Sequence, residues 1–299
     1  LTPGYKEYDV SSLFLLYFTL FFAIIIGDGG YGMIFLGATL FFQLKGVSAK
    51  TQPTINLMLI LSSATVLWGF LTGNFFAIPS DSLPSLLRGI DFFTSETTGQ
   101  KNMQLFCFTI ALSHLGAAHI WRGLRFSIEN RYMPQLGEVG WIAFVVGAYL
   151  VIIQNVVGFD IGEPALIVSQ ALLAGGGALM LIFAVNWKDI GEILNFPFAA
   201  LGGFVDSLSY IRLFAVGLSG YYVAFSMNSL AFSIMEAGGV GVVAGIFVLL
   251  LGHVLNIALC CMGVLVHGIR LNTLEFSGHL GLDWKGIRFS PFRKRTLEP

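Results

Sequence analysis

Long apolar runs, separated by short clusters of polar and charged residues, set the pattern of this 299-residue chain. They cover about residues 12–43, 54–76, 103–121, 138–158, 164–185, 198–234 and 238–275. Crossing a hydrocarbon layer about 30 Å thick takes about 20 apolar residues of helix, and backbone groups in lipid must be satisfied within the segment. The pattern therefore predicts an all-α, polytopic helical membrane protein. The last two runs are unusually long. A helix of about 35 residues measures about 50 Å, so each must tilt strongly or project from the bilayer.

The first run, 12–43, is interrupted by Gly27-Asp28-Gly29-Gly30-Tyr31-Gly32. Four glycines and an aspartate in six residues make a poor helix centre. A hairpin broken at 27–32 is therefore expected, which raises the total to about eight membrane segments. Length argues the other way, because each arm measures only about 22 Å at 1.5 Å per residue and falls short of a full crossing.

Composition agrees with the pattern: 56% of residues are hydrophobic and 11% are charged, and mean hydropathy is +0.79. Soluble domains carry about 25% charged residues, so lipid is the solvent for most of this chain. A formal net charge of -1 gives no global field for nucleic acid, and no such partner is expected. The three cysteines, two adjacent at Cys260 and Cys261, form neither a disulfide framework nor a metal motif. No GxxxxGK[ST] or HExxH motif occurs, so hydrolysis of ATP through a P-loop in this chain is excluded. Gly27, Gly29 and Gly32 satisfy GxGxxG, but no acid follows before Asp81 to hold a ribose, and a helix break is the better reading. No cofactor or metal is expected. The chain starts at Leu1 rather than Met and is read as part of something longer.

Loop charges indicate orientation. Lys45, Lys50, Arg122, Arg125, Arg131 and Lys188, with Lys285, Arg288, Arg293, Lys294 and Arg295 of the tail, fall in loops separated by two spans each. Asp81, Asp91, Glu96, Asp160, Glu163 and Glu236 dominate the loops between. The positive-inside rule then makes the C-terminus cytoplasmic.

Charges at membrane depth cost about 2.5–3.5 kcal/mol each on insertion scales and mark function by default. They are Asp28, Asp206, Arg212, Arg270 and Glu275. Arg212 lies about a dozen residues into its run, too deep to snorkel, whereas Arg270 sits nearer an end. His253, Asn256, Cys260, Gly263, His267 and Arg270 step by three and four residues and predict one polar and small stripe on the last helix. Ser209, Arg212, Ser219 and Ser226 are similarly spaced on the helix before, where Gly202, Gly203, Gly217 and Gly220 permit close approach. His114 and His119, five apart, are expected to hydrogen-bond between helices, with an ion path as the alternative.

The run Ser209-Tyr210-Ile211-Arg212-Leu213, together with Gly252-His253, Asn256, Gly263, His267-Gly268-Ile269-Arg270-Leu271 and Glu275-Phe276, resembles the last two helices of the membrane stator subunit, called a or I, of rotary V-type and A-type ATPases. Tyr5-Lys6-Glu7-Tyr8-Asp9 and the 27–32 break resemble that family's first membrane hairpin. The short loops resemble the bacterial or archaeal form, which implies a prokaryotic cell membrane. The resemblance implies a lead-in segment and hairpin at 1–43, a peripheral helix bundle at 44–197, two long tilted ring-facing helices at 198–276 and a basic cytoplasmic tail at 277–299, with a cytoplasmic N-terminal half preceding Leu1.

It implies a function as well. Such a subunit forms two offset aqueous half-channels that pass H+ or Na+ to and from carboxylates of a rotating proteolipid ring, and a buried arginine prevents leak. By position Arg212 matches that arginine and Arg270 a second one. Asp206, Ser209, Ser219, His253, Asn256, His267, Glu275 and Asp28 are half-channel candidates. Cys260 stands where eukaryotic members carry a glutamate, so another group must replace it. The implied partners are the proteolipid ring of c or K subunits, a central-stalk socket subunit of d or C type, peripheral stalks reached through the N-terminal half, and the lipid bilayer. A secondary ion-coupled transporter is the competing reading, but only one glycine-rich break occurs, without a matching second half. The topology is checked by labelling cysteines placed at Ser48 and Ser290: both should react from the same, cytoplasmic side, and opposite-side labelling overturns it.

Overall fold

The computed structural model describes residues 9–46, 48–79 and 82–282. Tyr5 to Tyr8, Asp81 and the tail from 283, with Ser290, lie outside the described residues. Those described are all-α, with no strand among them. Six helical stretches are long and apolar enough to cross a membrane, and two more, α1 (Ser11–Ile26) and α2 (Gly29–Leu44), are shorter. This is the multi-pass architecture and the number of segments that the apolar pattern predicts.

The break between α1 and α2 is a true reversal. Gly27 closes α1 in the left-handed region, at φ 67°, which costs a residue without Cβ little. Asp28 is extended and caps α2. Helix α3 (Gln52–Thr72) fixes the directions of both arms. Leu57, early in α3, shares a groove with Phe14 and Phe18, while Trp68, late in α3, lies with Ile24, so α1 and α3 run parallel. Gly29 meets Gly69, and Gly32 meets Thr65 and Val66, so α2 runs antiparallel to α3. A Cβ on Gly69 would collide with the Gly29 backbone. The two arms thus form the expected hairpin, with α3 packed against both.

The objection from length resolves through the following loop. Each arm has 16 residues, about 24 Å of helix. Residues 73–79 and 82–98, including α4 (Asp91–Thr94), fold over the tip. Asn74 accepts a hydrogen bond at its carbonyl from Gly29 N (2.9 Å) and donates one from Nδ2 to the Gly27 carbonyl (2.8 Å). Phe76 N donates to Asp28 Oδ1 (3.0 Å), and the Phe76 carbonyl accepts from Asn228 Nδ2 on a later helix (2.7 Å). Irregular backbone is tolerated at membrane depth where protein covers it.

Helices α5 (Gly99–Ile128), α6 (Tyr132–Ile152, extended by a π-turn at Ile153–Val157) and α7 (Gly162–Phe183) follow, with α6 packed against both of the others. Asp189 caps α8 (Ile190–Ser209), its Oδ1 accepting from Gly191 N at 2.8 Å. The run expected as one helix over 198–234 therefore begins earlier and divides: α8 stops at Tyr210 and α9 (Ile211–Met235) resumes. Arg212 is the second residue of α9, not a dozen residues into an uninterrupted helix. The last run continues through α10 (Val240–Gly263), π-turns at Val264–Gly268 and Leu271–Phe276, and α11 (Ser277–Leu280). Residues 277–280, expected in a tail, are helical, and Ser277 and Leu280 are buried.

Helix α1 is the hub. Tyr17, Phe21 and Ile25 belong to one buried cluster with Tyr31, Leu213, Val264 and Leu271. Val10, Ala118, Phe276 and Leu280 cluster at one end. That end, the basic face below, also carries Lys45, Arg122 and Arg125. Asp28→Ala should strand three buried N–H groups and lower stability by about 2–4 kcal/mol, read as a lower thermal midpoint in detergent, with Asp28→Asn losing about half as much. An unchanged midpoint for Asp28→Ala would remove the cap from this account.

A buried ion pair between two polar clusters

Local backbone geometry places Arg212. Ser209 Oγ donates back to the Asp206 carbonyl (2.7 Å), and the Ser209 carbonyl accepts from Arg212 Nε (2.9 Å). The guanidinium then donates through Nη2 to Glu275 Oε1 at 2.8 Å. Arg270 Nε lies 3.4 Å from the same oxygen. The Glu275 side chain is 3% exposed, against 24% for Arg212 and 53% for Arg270. Glu275 Oε2 is buried with no hydrogen-bond partner among the described residues.

The two π-turns explain why Glu275 faces inward. Each places an extra residue in a turn and moves the following side chains around the axis. The buried positions run Asn256, Cys260 and Gly263, then shift to Val264, Gly268, Leu271, Asn272, Glu275 and Phe276. The stripe expected from unbroken helical spacing therefore ends at Gly263. His267 is half-buried, and Arg270 is turned outward. Alongside, Tyr210 is fully buried and its hydroxyl lies 2.7 Å from His114 Nδ1. The His114 ring stacks on Phe276, 4.4 Å between centroids and 8° between planes.

Toward the basic face lies a connected polar cluster. Asp206 Oδ2 is 3.1 Å from His279 Nε2, His279 Nδ1 is 3.0 Å from His119 Nε2, and His119 Nδ1 is 2.8 Å from Glu138 Oε2. Arg122 Nε closes on Glu138 Oε1 at 3.2 Å. Trp141 stacks on His119, 5.1 Å between centroids. A cavity of about 280 Å³ is lined by Arg122, Asp206, His279 and Glu275.

On the other side of Arg212, Tyr31 organises a second cluster. Its hydroxyl is 2.7 Å from His253 Nδ1 and accepts from Asn256 Nδ2 (3.0 Å), which also donates to the Gly220 carbonyl (2.9 Å). Asp28 stands just before this group in the chain, but its Oδ1 is occupied as the helix cap by Gly30 N and Tyr31 N. Ser219 is exposed and donates to the Val216 carbonyl of its own helix, so it joins neither cluster. Ser226 is exposed too, and the expected serine stripe beside Arg212 does not form an inward face. No group of three or more His, Cys, Asp or Glu among the described residues is arranged to hold a metal ion.

Comparison with known proteins gives the family. The chain is 36% identical over 98% of its length to "V-type ATP synthase subunit I" of Borreliella burgdorferi, covering 50% of that protein. It is 34% identical, again over 98%, to "V-type ATP synthase subunit I 1" of Treponema pallidum, covering 49%. "A-type ATP synthase subunit I" of Pyrococcus abyssi is 27% identical over 97% of the chain, which covers 44% of that protein. The chain belongs with subunit I of the V-type and A-type ATP synthases. It spans about half the length of these relatives. No family model matches it.

Within this subunit I framework, Glu138, His279 and Tyr31 escape a reading by apolar runs. Glu138 sits at the first position of its run and passes for a loop residue, although it is the sole acid between Glu129 and Asp160. His279 falls beyond the last run, yet it follows Glu275 at a helical spacing of four. His119 is a bridge between helices, as expected, but the identity of its partners follows from packing alone. Tyr31 lies within the glycine break and carries no separate signal in the sequence. Glu275→Ala should leave the Arg212 cation without its partner and destabilise the subunit by about 1–3 kcal/mol, with Glu275→Gln costing less. Thermal unfolding in detergent reads the difference, and equal midpoints for all three proteins would remove the pair from this account.

Proposed function

We propose that this chain is the ion-translocating membrane part of the stator subunit of a V/A-type rotary ATPase. The observation that carries the reading is Arg212, held by Glu275 between two separate polar clusters, one toward each face of the membrane. The clusters around Asp206 and around Tyr31, His253 and Asn256 serve as offset half-channels. Glu275 takes the place of the glutamate that Cys260 lacks. Helix α9 and the long run that continues α10 through its π-turns, tilted against a proteolipid ring, present Arg212 and Arg270 to the ring carboxylates.

The chemistry follows from charge. A carboxylate near a cation within about 4–6 Å has its pKa lowered by about 1–3 units. A ring carboxylate arriving at Arg212 therefore gives up its ion, and guanidinium, which stays protonated through the cycle, prevents reloading until the ring has moved on. Ions enter from one half-channel and leave by the other only after rotation, and the arginine blocks the direct route. ATP chemistry occurs elsewhere in the complex. The remaining partners are a central-stalk socket subunit and peripheral stalks, and the basic face with the C-terminus is cytoplasmic.

Arg212→Gln should abolish ATP-driven ion uptake into liposomes carrying the complex while the subunit still co-purifies with the ring. Coupled uptake retained at the original rate would overturn the assignment.

A further inference from the structure

Near the basic face, α1, α3 and the run that continues α10 leave a groove of about 370 Å³ between them. Its lining includes no residue of the ion pair or of either polar cluster. Helix α1 starts at this face and the last run returns to it, so Asp9, Ser11 and Thr273 stand at the outer end of the groove, while Phe18, Leu57 and Ile269 make its deeper walls apolar. The walls are tied together: Asn272 Nδ2 donates to the Phe14 carbonyl (3.3 Å), and Thr273 Oγ1 donates to the Ile269 carbonyl (2.9 Å). The mouth is anionic. Asp9 Oδ1 accepts from Ser11 N at 2.9 Å, and hydrogen bonds from Ser11 hold the Asp9 carboxyl below its ordinary value. Among the described residues no lysine or arginine lines the groove, although Lys45, Arg122 and Arg125 stand elsewhere on the same face.

We propose that this groove binds one zwitterionic phospholipid of the basic-face leaflet, with an acyl chain along Phe14, Phe18 and Leu57 and the headgroup ammonium at Asp9. An apolar trough inside a membrane is filled by hydrocarbon, because a void forfeits dispersion contacts and water finds too few polar partners there. The order of charges makes the site selective. In a zwitterionic headgroup the ammonium is outermost and meets the Asp9 carboxylate, whereas a headgroup with only the negative charge of its phosphate is repelled. Basic membrane faces attract anionic lipid, so the preference at this groove is opposite to that of the face around it. Asn272 and Thr273 belong to the π-turn at Leu271–Phe276, and Ile269 lies between the two π-turns. The bound chain therefore braces the segment that carries Glu275. The proposal goes beyond the stator reading and does not depend on it.

The test uses the assembled complex with the full-length subunit in liposomes that contain a trace of phosphatidylethanolamine with a photoactivatable diazirine in its acyl chain. After illumination, mass spectrometry locates the labelled residues. We expect label on Phe14, Phe18 and Leu57, about fivefold stronger in phosphatidylglycerol liposomes than in phosphatidylcholine liposomes, because only the second host lipid competes for Asp9. Asp9→Asn should remove the difference between the two hosts, and Leu57→Trp, which fills the groove, should remove the label in both. If Leu57→Trp does not assemble, Asp9→Asn at the exposed mouth decides. Equal labelling of the wild-type groove in both hosts, or a host preference that survives Asp9→Asn, overturns the proposal. So does a groove that is labelled only after truncation beyond Leu282, which would give it to residues 283–299 of this chain. The stator reading fails differently, through coupled uptake that survives Arg212→Gln.

Discussion

Everything distinctive in this structure depends on a cation and an anion meeting in a place where neither is well solvated. Arg212 alone would carry the full insertion penalty of a charge at depth. Glu275, almost fully buried, would be costlier still. Together, at 2.8 Å, they are tolerable, and the surrounding fold bends to bring them together. The α8–α9 break at Tyr210 frees the Ser209 carbonyl to hold Arg212 Nε, which aims the guanidinium. The π-turns of the last helix rotate Glu275 in and Arg270 out. Buried ion pairs are poor stabilisers compared with apolar packing, so stability alone does not account for this one.

The scaffold around the pair is correspondingly rigid. Helix α1 runs behind it as a buried spine, and Tyr17 and Phe276 sandwich His114, which in turn holds the Tyr210 hydroxyl. These aromatic contacts fix the break from which Arg212 emerges. The polar clusters are anchored in the same way, each through a side chain supplied by a different part of the chain: Glu138 from α6, Tyr31 from the first hairpin. Residues far apart in sequence therefore converge on one site, and α5 and α6 contribute polar side chains to it as well as packing.

Much of this was legible in the residues. Apolar run lengths located the spans, the glycine cluster located the reversal, and the insertion cost of charge singled out Arg212 and Glu275. Three things were not. Periodicity assumes an unbroken helix, so it extended the polar stripe to Arg270 and could not register the π-turns that divert it. It also ran α8 and α9 together, because Tyr210 carries no helix-breaking signature. Partnerships such as His119 with Glu138 and His279 depend on how helices 19 and 160 residues apart in the chain pack, and a single sequence does not encode that visibly.

The short first hairpin bears on the electric field as well as on packing. A charge crossing a membrane at 100 mV gains about 2.3 kcal/mol wherever the voltage falls, but where it falls depends on what fills the slab. Beyond the tip of α1 and α2 lies loop backbone rather than further helix, with Asn74 and Phe76 bonded to Gly27, Asp28 and Gly29. Backbone dipoles carry less of the voltage than lipid tails, so a short apolar hairpin makes the drop steeper across its arms. On the stator reading, that field acts on Arg212, on Glu275 and on any ion that moves past them.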